Sequence, residues 1–214
     1  MFLRSFILTA VAAYLLGSIP TGFLVARARG VDLRRVGSGN IGATNAMRVL
    51  GKPAGILVLL VDAAKGWCAV WVAAWIFKNF GASEDSLESG RILAGVFAVL
   101  GHNYTCWLKF KGGKGIATTA GVYLALAPFA LGMAFAVFVV VVLLTRYVSV
   151  GSMAGAVALP ATVWIQQPHQ VLLGGVTTAL GALAIYKHQS NIRRLLAGTE
   201  NRLGKPSPPA EVKK

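Results

Sequence analysis

Seven apolar runs, separated by polar segments, set the pattern of this chain. They cover residues 5–26, 53–77, 92–108, 116–127, 129–144, 148–165 and 171–186. Because an α-helix rises about 1.5 Å per residue, a run of about 20 residues crosses a hydrocarbon core of about 30 Å. The pattern therefore predicts an all-α integral membrane protein with seven transmembrane helices, of which one or more are short or broken.

The first apolar run is interrupted in its second half. The interrupting residues are small or break helices: Gly17, Ser18, Pro20 and Gly22. They predict a kink, or an opening through which a polar loop reaches into the membrane. The stretch Ala10-Val11-Ala12 also resembles the cleavage site of a signal peptide. Because hydrophobic residues continue to Val25, we expect the helix to remain in the mature protein.

Two opposite charges lie inside the second run. Asp62 and Lys65 are three residues apart, so they share one face of a helix. An ion pair is the least costly way to keep two charges within a membrane span. We therefore expect Asp62 and Lys65 to pair, and we favour a structural role over direct catalysis.

Composition and charge narrow the class of protein. Of the 214 residues, 56% are hydrophobic and only 13% are charged, which excludes an ordinary soluble domain. The net charge of +14 comes from cations at the ends of apolar runs, not from a basic stripe with exposed aromatics. We therefore expect no nucleic-acid partner.

The positions of the cations predict the topology. If the N-terminus is outside, the polar segments on the inner face hold 17 of the 21 Lys and Arg residues. The outer segments then hold only Arg4, Lys78 and Arg91, and Lys65 lies within the membrane. By the positive-inside rule, this bias predicts an external N-terminus and a cytoplasmic C-terminus.

With this topology, four polar segments fall on the cytoplasmic face. They are rich in hydrogen-bond donors and poor in acids: residues 37–48, 109–119, 149–152 and 187–202. We expect them to converge into one site for an anion.

Residues 109–119 have the strongest anion-binding character of the four segments. Their sequence, Lys-Phe-Lys-Gly-Gly-Lys-Gly-Ile-Ala-Thr-Thr, combines three cations with three glycines, which allow backbone N–H groups to approach a phosphate closely. The spacing does not match a P-loop. A basic turn that only fixes the topology is the alternative interpretation.

The residue types on this face limit the chemistry. The seven acids are scattered, no pair of His, Asp or Glu on this face has the spacing of metal ligands, and no Gly-x-Ser-x-Gly motif occurs. We therefore expect no metal, no cofactor and no serine-hydrolase triad. Cations, hydroxyls, amides and one imidazole remain. This set favours transfer between two anionic substrates, in which positioning and charge stabilisation supply the rate.

Four motifs, in order along nearly the whole chain, resemble those of a known family. They are Gly17-Ser-Ile-Pro-Thr-Gly22, Ser38-Gly-Asn-Ile-Gly-Ala-Thr-Asn45 with Arg48, Gly101-His-Asn-Tyr104 with Phe110-Lys-Gly-Gly-Lys-Gly115, and His188-x-x-Asn191 with Gly198-Thr-Glu-Asn201. Together they resemble the membrane acyl-phosphate:glycerol-3-phosphate acyltransferases (PlsY) of bacterial phospholipid synthesis.

The resemblance implies a reaction and its partners. A fatty acyl group would move from acyl phosphate to the 1-hydroxyl of glycerol 3-phosphate, which gives 1-acyl-glycerol 3-phosphate (lysophosphatidic acid) and phosphate. It also implies seven helices, no metal and a multi-pass location in a bacterial inner membrane, with the active site facing the cytoplasm. The expected partners are glycerol 3-phosphate, acyl phosphate and membrane lipid, and we expect a monomer.

The resemblance also implies roles for individual residues. The expected catalytic residues are Ser38, Arg48, Lys114, His188 and Asn191, and the expected substrate-binding residues are Asn40, Thr44, Asn45, Gly113 and Ser152. Ser38, Arg48, Lys114 and Ser152 would hold phosphate groups, whereas Thr44, His188 and Asn191 would orient the glycerol. No residue is an obvious nucleophile, so direct attack is favoured. The base is either His188 or a phosphate oxygen of a substrate.

Two other classes of protein remain as alternatives. A transporter of a small phosphorylated anion would need polar groups near the membrane midplane and access from both faces. A structural membrane subunit would tolerate alanine scanning of its polar loops. The favoured interpretation stays the acyltransferase: we expect residues 1–204 to form a single polytopic membrane acyltransferase domain and residues 205–214 to form a disordered basic C-terminal tail.

Overall fold

The computed structural model describes residues 2–81 and 83–204, and in these residues the chain forms ten α-helices and one 3₁₀ turn. The helices are α1 (Phe2–Ser18), α2 (Thr21–Arg27), α3 (Ala43–Leu50), α4 (Lys52–Asn79), α5 (Glu84–Asn103), α6 (Ile116–Leu126), α7 (Pro128–Thr145), α8 (Val148–Gln166), α9 (Val171–Lys187) and α10 (Gln189–Leu196). The 3₁₀ turn is Cys106–Leu108. The predicted tail at residues 205–214 lies outside the described residues.

The predicted interruption of the first apolar run is confirmed. α1 ends at Ser18 and α2 begins at Thr21, so the break falls at Ile19 and Pro20. Proline has no N–H to donate within a helix, and its ring clashes with the preceding turn. The break therefore leaves backbone carbonyls of the last turn of α1 in need of other partners.

The segment between the second and third apolar runs is more helical than its polar sequence suggests. Residues 78–91 read as a polar loop, but α5 begins at Glu84. The first turn of α5 carries Glu84 and Asp85, whose negative charges favour a helix N-terminus. At its other end α5 stops at Asn103, before the predicted end at residue 108.

The prediction of an all-helical membrane protein is confirmed, without the number of its spans. Among the described residues, four segments are long and apolar enough to cross a membrane: Leu3–Arg27, Lys52–Asn79, Pro128–Thr145 and Val148–Gln166. α9 and α10 together make a fifth if the pair, bent by 51°, counts as one span. Seven spans and the orientation of the termini stay predictions.

The described chain divides into two compact units, residues 2–126 and residues 127–204. In the first unit, small residues allow helices to pack at close range, as is common in membrane proteins. A Cβ at Gly17 would collide with the carbonyl of Ala98, so α1 lies directly against α5. A Cβ at Gly66 would collide with the carbonyl of Thr118, so α4 lies equally close to α6.

The second unit packs α8 between α7 and α9. Gly151 of α8 lies close to α7, because a Cβ there would collide with the side chain of Val142. Gly181 of α9 lies close to the carbonyl of Ala156 on α8 in the same way.

Candidate active site

Asn45 organises the polar segment that precedes α3. Its side chain is buried, and its Oδ1 accepts a hydrogen bond from the N–H of Ser38 at 2.8 Å. Its Nδ2 lies 2.8 Å from the carbonyl of Asn40 and 3.1 Å from that of Val36. Gly37 has a φ of 60°, and a Cβ there would collide with Asn45 Oδ1. Because these contacts occupy its amide group, Asn45 is better suited to shaping the loop than to touching a substrate.

Four other predicted site residues lie on the same segment. Ser38 and Arg48 are half-buried, whereas Thr44 is exposed in the first turn of α3. Asn40 Oδ1 accepts the N–H of Gly42 at 2.8 Å, so this side chain supports the turn into α3. The predicted residues of this segment therefore lie on one loop and the short helix α3 that follows it.

The one acid between α2 and α3, Asp32, forms an ion pair with a nearby arginine. Asp32 pairs with Arg34 at 2.7 Å. The hydrogen bond from the Arg34 side chain lowers the pKa of Asp32 from 3.8 to about 2. At neutral pH the carboxylate is therefore ionised and engaged with Arg34.

The glycine-rich loop, residues 109–115, packs tightly against the end of α5. The N–H of Gly113 donates to the carbonyl of His102 at 3.0 Å, and the N–H of Gly112 donates to that of Asn103 at 3.2 Å. A Cβ at Gly112 would collide with the carbonyl of His102. These glycines are therefore needed so that the loop can approach α5.

For Gly112 and Gly113, this packing corrects the expectation that the loop glycines present their N–H groups to an anion. The N–H groups of Gly112 and Gly113 bind protein carbonyls instead. The substrate-binding assignment of Gly113 then depends on its position next to Lys114 and stays a prediction. Lys114 is half-buried and Lys111 is exposed, so the two cations have different surroundings.

The motif residues Ser18 and Tyr104, at the ends of α1 and α5, accept hydrogen bonds from side chains next to the motifs. Thr105 Oγ1 donates to the carbonyl of Ser18 at 2.6 Å, and Tyr14 Oη donates to the carbonyl of Tyr104 at 2.7 Å. The first bond satisfies a carbonyl at the break after α1. These residues build the scaffold beneath the glycine-rich loop.

In the second unit, Glu200 gathers three polar side chains. Its Oε1 accepts hydrogen bonds from Ser149 Oγ at 2.9 Å and from Asn191 Nδ2 at 2.7 Å, and its Oε2 pairs with Arg194 Nε at 2.7 Å. Sequence reasoning gave Glu200 no role. The feature of the sequence that could have indicated a role is the presence of an acid within the Gly198-Thr-Glu-Asn201 motif, in a segment otherwise rich in cations.

The hydrogen bond to Glu200 orients the side-chain amide of Asn191. With Nδ2 donating to Glu200, the Oδ1 of Asn191 is the atom that can accept a hydrogen bond. Asn191 is 5% exposed, so it can reach a ligand only within a recess of the protein.

His188 and Ser152 are also buried, and their donors have protein partners. His188 Nδ1 lies 2.7 Å from the carbonyl of Ala184. A carbonyl only accepts, so Nδ1 carries a proton, and Nε2 of the neutral ring is an acceptor. Ser152 Oγ donates to the carbonyl of Val148 at 2.9 Å. To hold a phosphate, the hydroxyl of Ser152 would have to turn away from Val148.

We predict that Glu200→Ala destabilises the protein more than Glu200→Gln does. Alanine leaves Arg194 without its carboxylate partner and removes the acceptor of Ser149 and Asn191. Because these hydrogen bonds are part-buried and the Arg194 side chain is 26% exposed, we expect a loss of about 1–3 kcal/mol. Glutamine keeps one acceptor oxygen. Thermal unfolding in detergent measures the difference, with the exposed Glu88→Gln as the control. Equal melting temperatures for Glu200→Ala and the wild type would contradict the prediction.

Together these features define a class of protein: a helical membrane protein whose site cations, amides and buried imidazole lie on the loops and on the short helices α3 and α10. Among residues 2–81 and 83–204, no group of three or more His, Cys, Asp or Glu side chains is placed to hold a metal ion. A reaction without a metal stays a prediction, as does the convergence of the four polar segments into one site.

Comparison with known sequences identifies the family. The sequence model of the glycerol-3-phosphate acyltransferase family matches residues 7–198. The glycerol-3-phosphate acyltransferase of Geobacter sulfurreducens is 48% identical over 200 residues, which cover 94% of this chain and 98% of that protein. That of Thermosynechococcus vestitus is 48% identical over 201 residues, or 92% of this chain and 94% of that protein. The chain therefore belongs to the glycerol-3-phosphate acyltransferase family.

Solved structures agree with this assignment. The glycerol 3-phosphate form of PlsY (YgiH), an integral membrane glycerol 3-phosphate acyltransferase, is 40% identical, with a TM-score of 0.83 over 94% of this chain and 96% of that one. The lysophosphatidic acid form is 38% identical, with a TM-score of 0.81 over 95% and 97% of the two chains. The predicted resemblance and the prediction of a membrane acyltransferase are confirmed.

Proposed function

We propose that this membrane acyltransferase moves a fatty acyl group from acyl phosphate to the 1-hydroxyl of glycerol 3-phosphate. The products are lysophosphatidic acid and inorganic phosphate. The observation that carries the proposal is the match, over more than nine tenths of the chain, to proteins named for glycerol-3-phosphate acylation. The choice of acyl phosphate as the donor rests on the four motifs.

In this proposal the cations and hydroxyls hold the phosphate groups of the two substrates. Arg48 and Lys114 supply positive charge, and Ser38 and Ser152 supply hydroxyl donors. Charge on the departing phosphate increases as the acyl C–O bond breaks, so fixed cations stabilise the transition state more than the ground state. The half-buried position of Lys114 supports this role because partial exclusion of water strengthens the interaction.

The acyl transfer takes place in one displacement. The 1-hydroxyl oxygen of glycerol 3-phosphate attacks the acyl carbonyl carbon, the bond from that carbon to the phosphate oxygen breaks, and the hydroxyl proton passes to a base. Thr44, His188 and Asn191 orient the glycerol. His188 is a candidate base because its Nε2 is an acceptor when Nδ1 donates to Ala184. A phosphate oxygen of a substrate is the other candidate.

The topology belongs to the same proposal. The chain crosses a bacterial inner membrane seven times, with the N-terminus outside and the C-terminus and active site on the cytoplasmic side. The bias in Lys and Arg positions supports this orientation. Residues 1–204 act as a single domain, and the enzyme works as a monomer without a metal or cofactor.

The direct test is a donor comparison with the purified protein. Labelled glycerol 3-phosphate is incubated with palmitoyl phosphate, palmitoyl-CoA or palmitoyl-acyl carrier protein, and labelled lysophosphatidic acid is measured. Of the three donors, we expect only palmitoyl phosphate to give labelled product. Product only with the thioesters would overturn the assignment of the donor. Accumulation of labelled glycerol 3-phosphate in proteoliposomes, without acylation, would favour the transporter instead.

A further inference from the structure

A buried charged cluster lies in the first unit, outside the residues assigned to substrate. Asp62 and Lys65 of α4 are 2% and 4% exposed, and His102 of α5 is 7% exposed. The predicted ion pair is present, with 2.7 Å between Lys65 Nζ and Asp62 Oδ1. Buried charges are costly unless they are paired and fully hydrogen-bonded. The other contacts of Lys65 are therefore informative.

The ammonium of Lys65 has as many acceptors around it as it has N–H donors. Besides Asp62, the carbonyl of Ile19 lies 2.8 Å from Nζ, and His102 Nδ1 lies 3.4 Å away. An ammonium has three donors and no acceptor, so His102 Nδ1 must be the acceptor in that contact. The proton of the neutral imidazole then lies on Nε2.

The Nε2 side of His102 faces the glycine-rich loop. A Cβ added at Gly113 would collide with Nε2, so the ring lies directly against this glycine. The N–H of Gly113 also donates to the carbonyl of His102 at 3.0 Å. His102 therefore contacts the residue before Lys114 through both its ring and its backbone.

The same ammonium also holds the break between α1 and α2. Ile19 lies in that break, next to Pro20, which has no N–H. Its carbonyl accepts from Lys65 Nζ as well as from the N–H of Thr21 at 3.0 Å. Lys65 thus connects three parts of the unit: the break after α1, the end of α5 and, through His102, the glycine-rich loop.

We propose that Asp62, Lys65 and His102 are positioning residues of the acyltransferase. Lys65 fixes the tautomer and orientation of His102, His102 fixes the backbone at Gly113, and the loop then holds Lys114 in place for the phosphate. The inference rests on the proposed function, since it assigns a purpose to the position of Lys114. If Asp62 and Lys65 served only to neutralise each other, the enzyme would keep its activity when both charges are removed together.

The first test compares single and double neutralisation. Lys65→Met leaves the Asp62 carboxylate buried and unpaired, so we expect a loss of thermal stability. The double variant Asp62→Asn/Lys65→Met buries no charge, so we expect it to regain most of that stability. Its kcat/KM, however, should stay about 10- to 100-fold below that of the wild type, as for other misplaced catalytic groups. Lys78→Met, an exposed position on the same helix, is the matched control for both measurements.

Recovery of both stability and kcat/KM in the double variant would overturn the proposal. A double variant that fails to fold would leave the activity measurement uninformative, so a second measurement on the wild type is needed. The chain has only three histidines, His102, His169 and His188, which allows their ring nitrogens to be resolved by NMR of ¹⁵N-histidine-labelled protein in lipid bilayers.

In that spectrum we expect His102 to be neutral with its proton on Nε2. The signal is assigned by its loss in His102→Gln. A proton on Nδ1 in the wild type would overturn the proposal, whatever the activity. If the wild type shows the Nε2–H tautomer but forms no lysophosphatidic acid from acyl phosphate, then the proposed function fails and the geometry of the cluster stands. The two failures are therefore distinguishable.

Discussion

Lys114→Ala and Arg48→Ala will each lower the rate of lysophosphatidic acid formation by about 100-fold or more while the protein still inserts and folds. Removal of one group that stabilises developing charge in a shielded site costs about 10²- to 10³-fold in kcat. Both side chains are half-buried, so water can replace them only in part. Initial rates with saturating acyl phosphate and glycerol 3-phosphate give the effect on kcat.

Matched controls separate this role from general loss of charge. Lys109 lies in the same loop as Lys114. Arg35 lies between α2 and α3, the helix that carries Arg48. Both Lys109 and Arg35 are exposed. We expect Lys109→Ala and Arg35→Ala to keep activity within about twofold, because exposed charges are screened by water and salt. Near-normal turnover of Lys114→Ala or Arg48→Ala would contradict their assignment as phosphate-binding residues.

Local sequence rules predicted the features that depend on neighbouring residues. The interruption of the first apolar run follows from Pro20, and the Asp62–Lys65 ion pair follows from a spacing of three residues on one helix face. Both are confirmed. The prediction of a polar loop at residues 78–91 is wrong at the start of α5. There, the acidic residues Glu84 and Asp85 lie in the first turn of a helix, where their charges are favourable.

The functions of the loop residues could not be predicted in the same way, because they depend on contacts distant in sequence. Glycines next to lysines suggest an anion-binding loop. At Gly112 and Gly113, however, a side chain would not fit because the loop packs against the last turn of α5. The contact of His102 with Lys65 joins residues 37 positions apart. No periodicity in the sequence indicates such a contact, since it requires α4 and α5 to be packed already.

Asn45 and Glu200 show the same limit for polar residues. A motif identifies them as important but does not say whether they touch the substrate or the protein. Substrate binding by Asn45 stays a prediction, while the structure shows its amide bound to backbone groups of its own loop. Glu200, to which the sequence assigns no role, accepts hydrogen bonds from three side chains. Buried polar groups must find partners, and only the fold determines which partners are near.

His188→Ala is the second substitution for which we expect a large effect, a fall in kcat of about 100-fold or more. His188 is buried, and its Nδ1 is held by the carbonyl of Ala184, so its Nε2 is fixed in direction. An imidazole fixed in this way can orient the hydroxyl of glycerol 3-phosphate or accept its proton. Alanine removes both functions.

His188→Asn is the control for structural damage. The amide nitrogen of asparagine occupies nearly the position of Nδ1 and can donate to Ala184, but the side chain has nothing at the position of Nε2. If Nε2 acts on the substrate, both variants lose activity, while His188→Asn keeps a melting temperature close to that of the wild type. If His188→Asn is as active as the wild type, then His188 only supports the helix end.

The pH dependence of the residual activity separates the two candidate bases. If His188 is the base, protonation of Nε2 stops the reaction in the wild type, so kcat rises with pH and then levels off. That rise is absent in His188→Ala and His188→Asn, because neither variant carries an imidazole at this position. A profile of the same shape in the wild type and both variants would instead assign the proton to a phosphate oxygen of a substrate and leave His188 the role of orienting the glycerol.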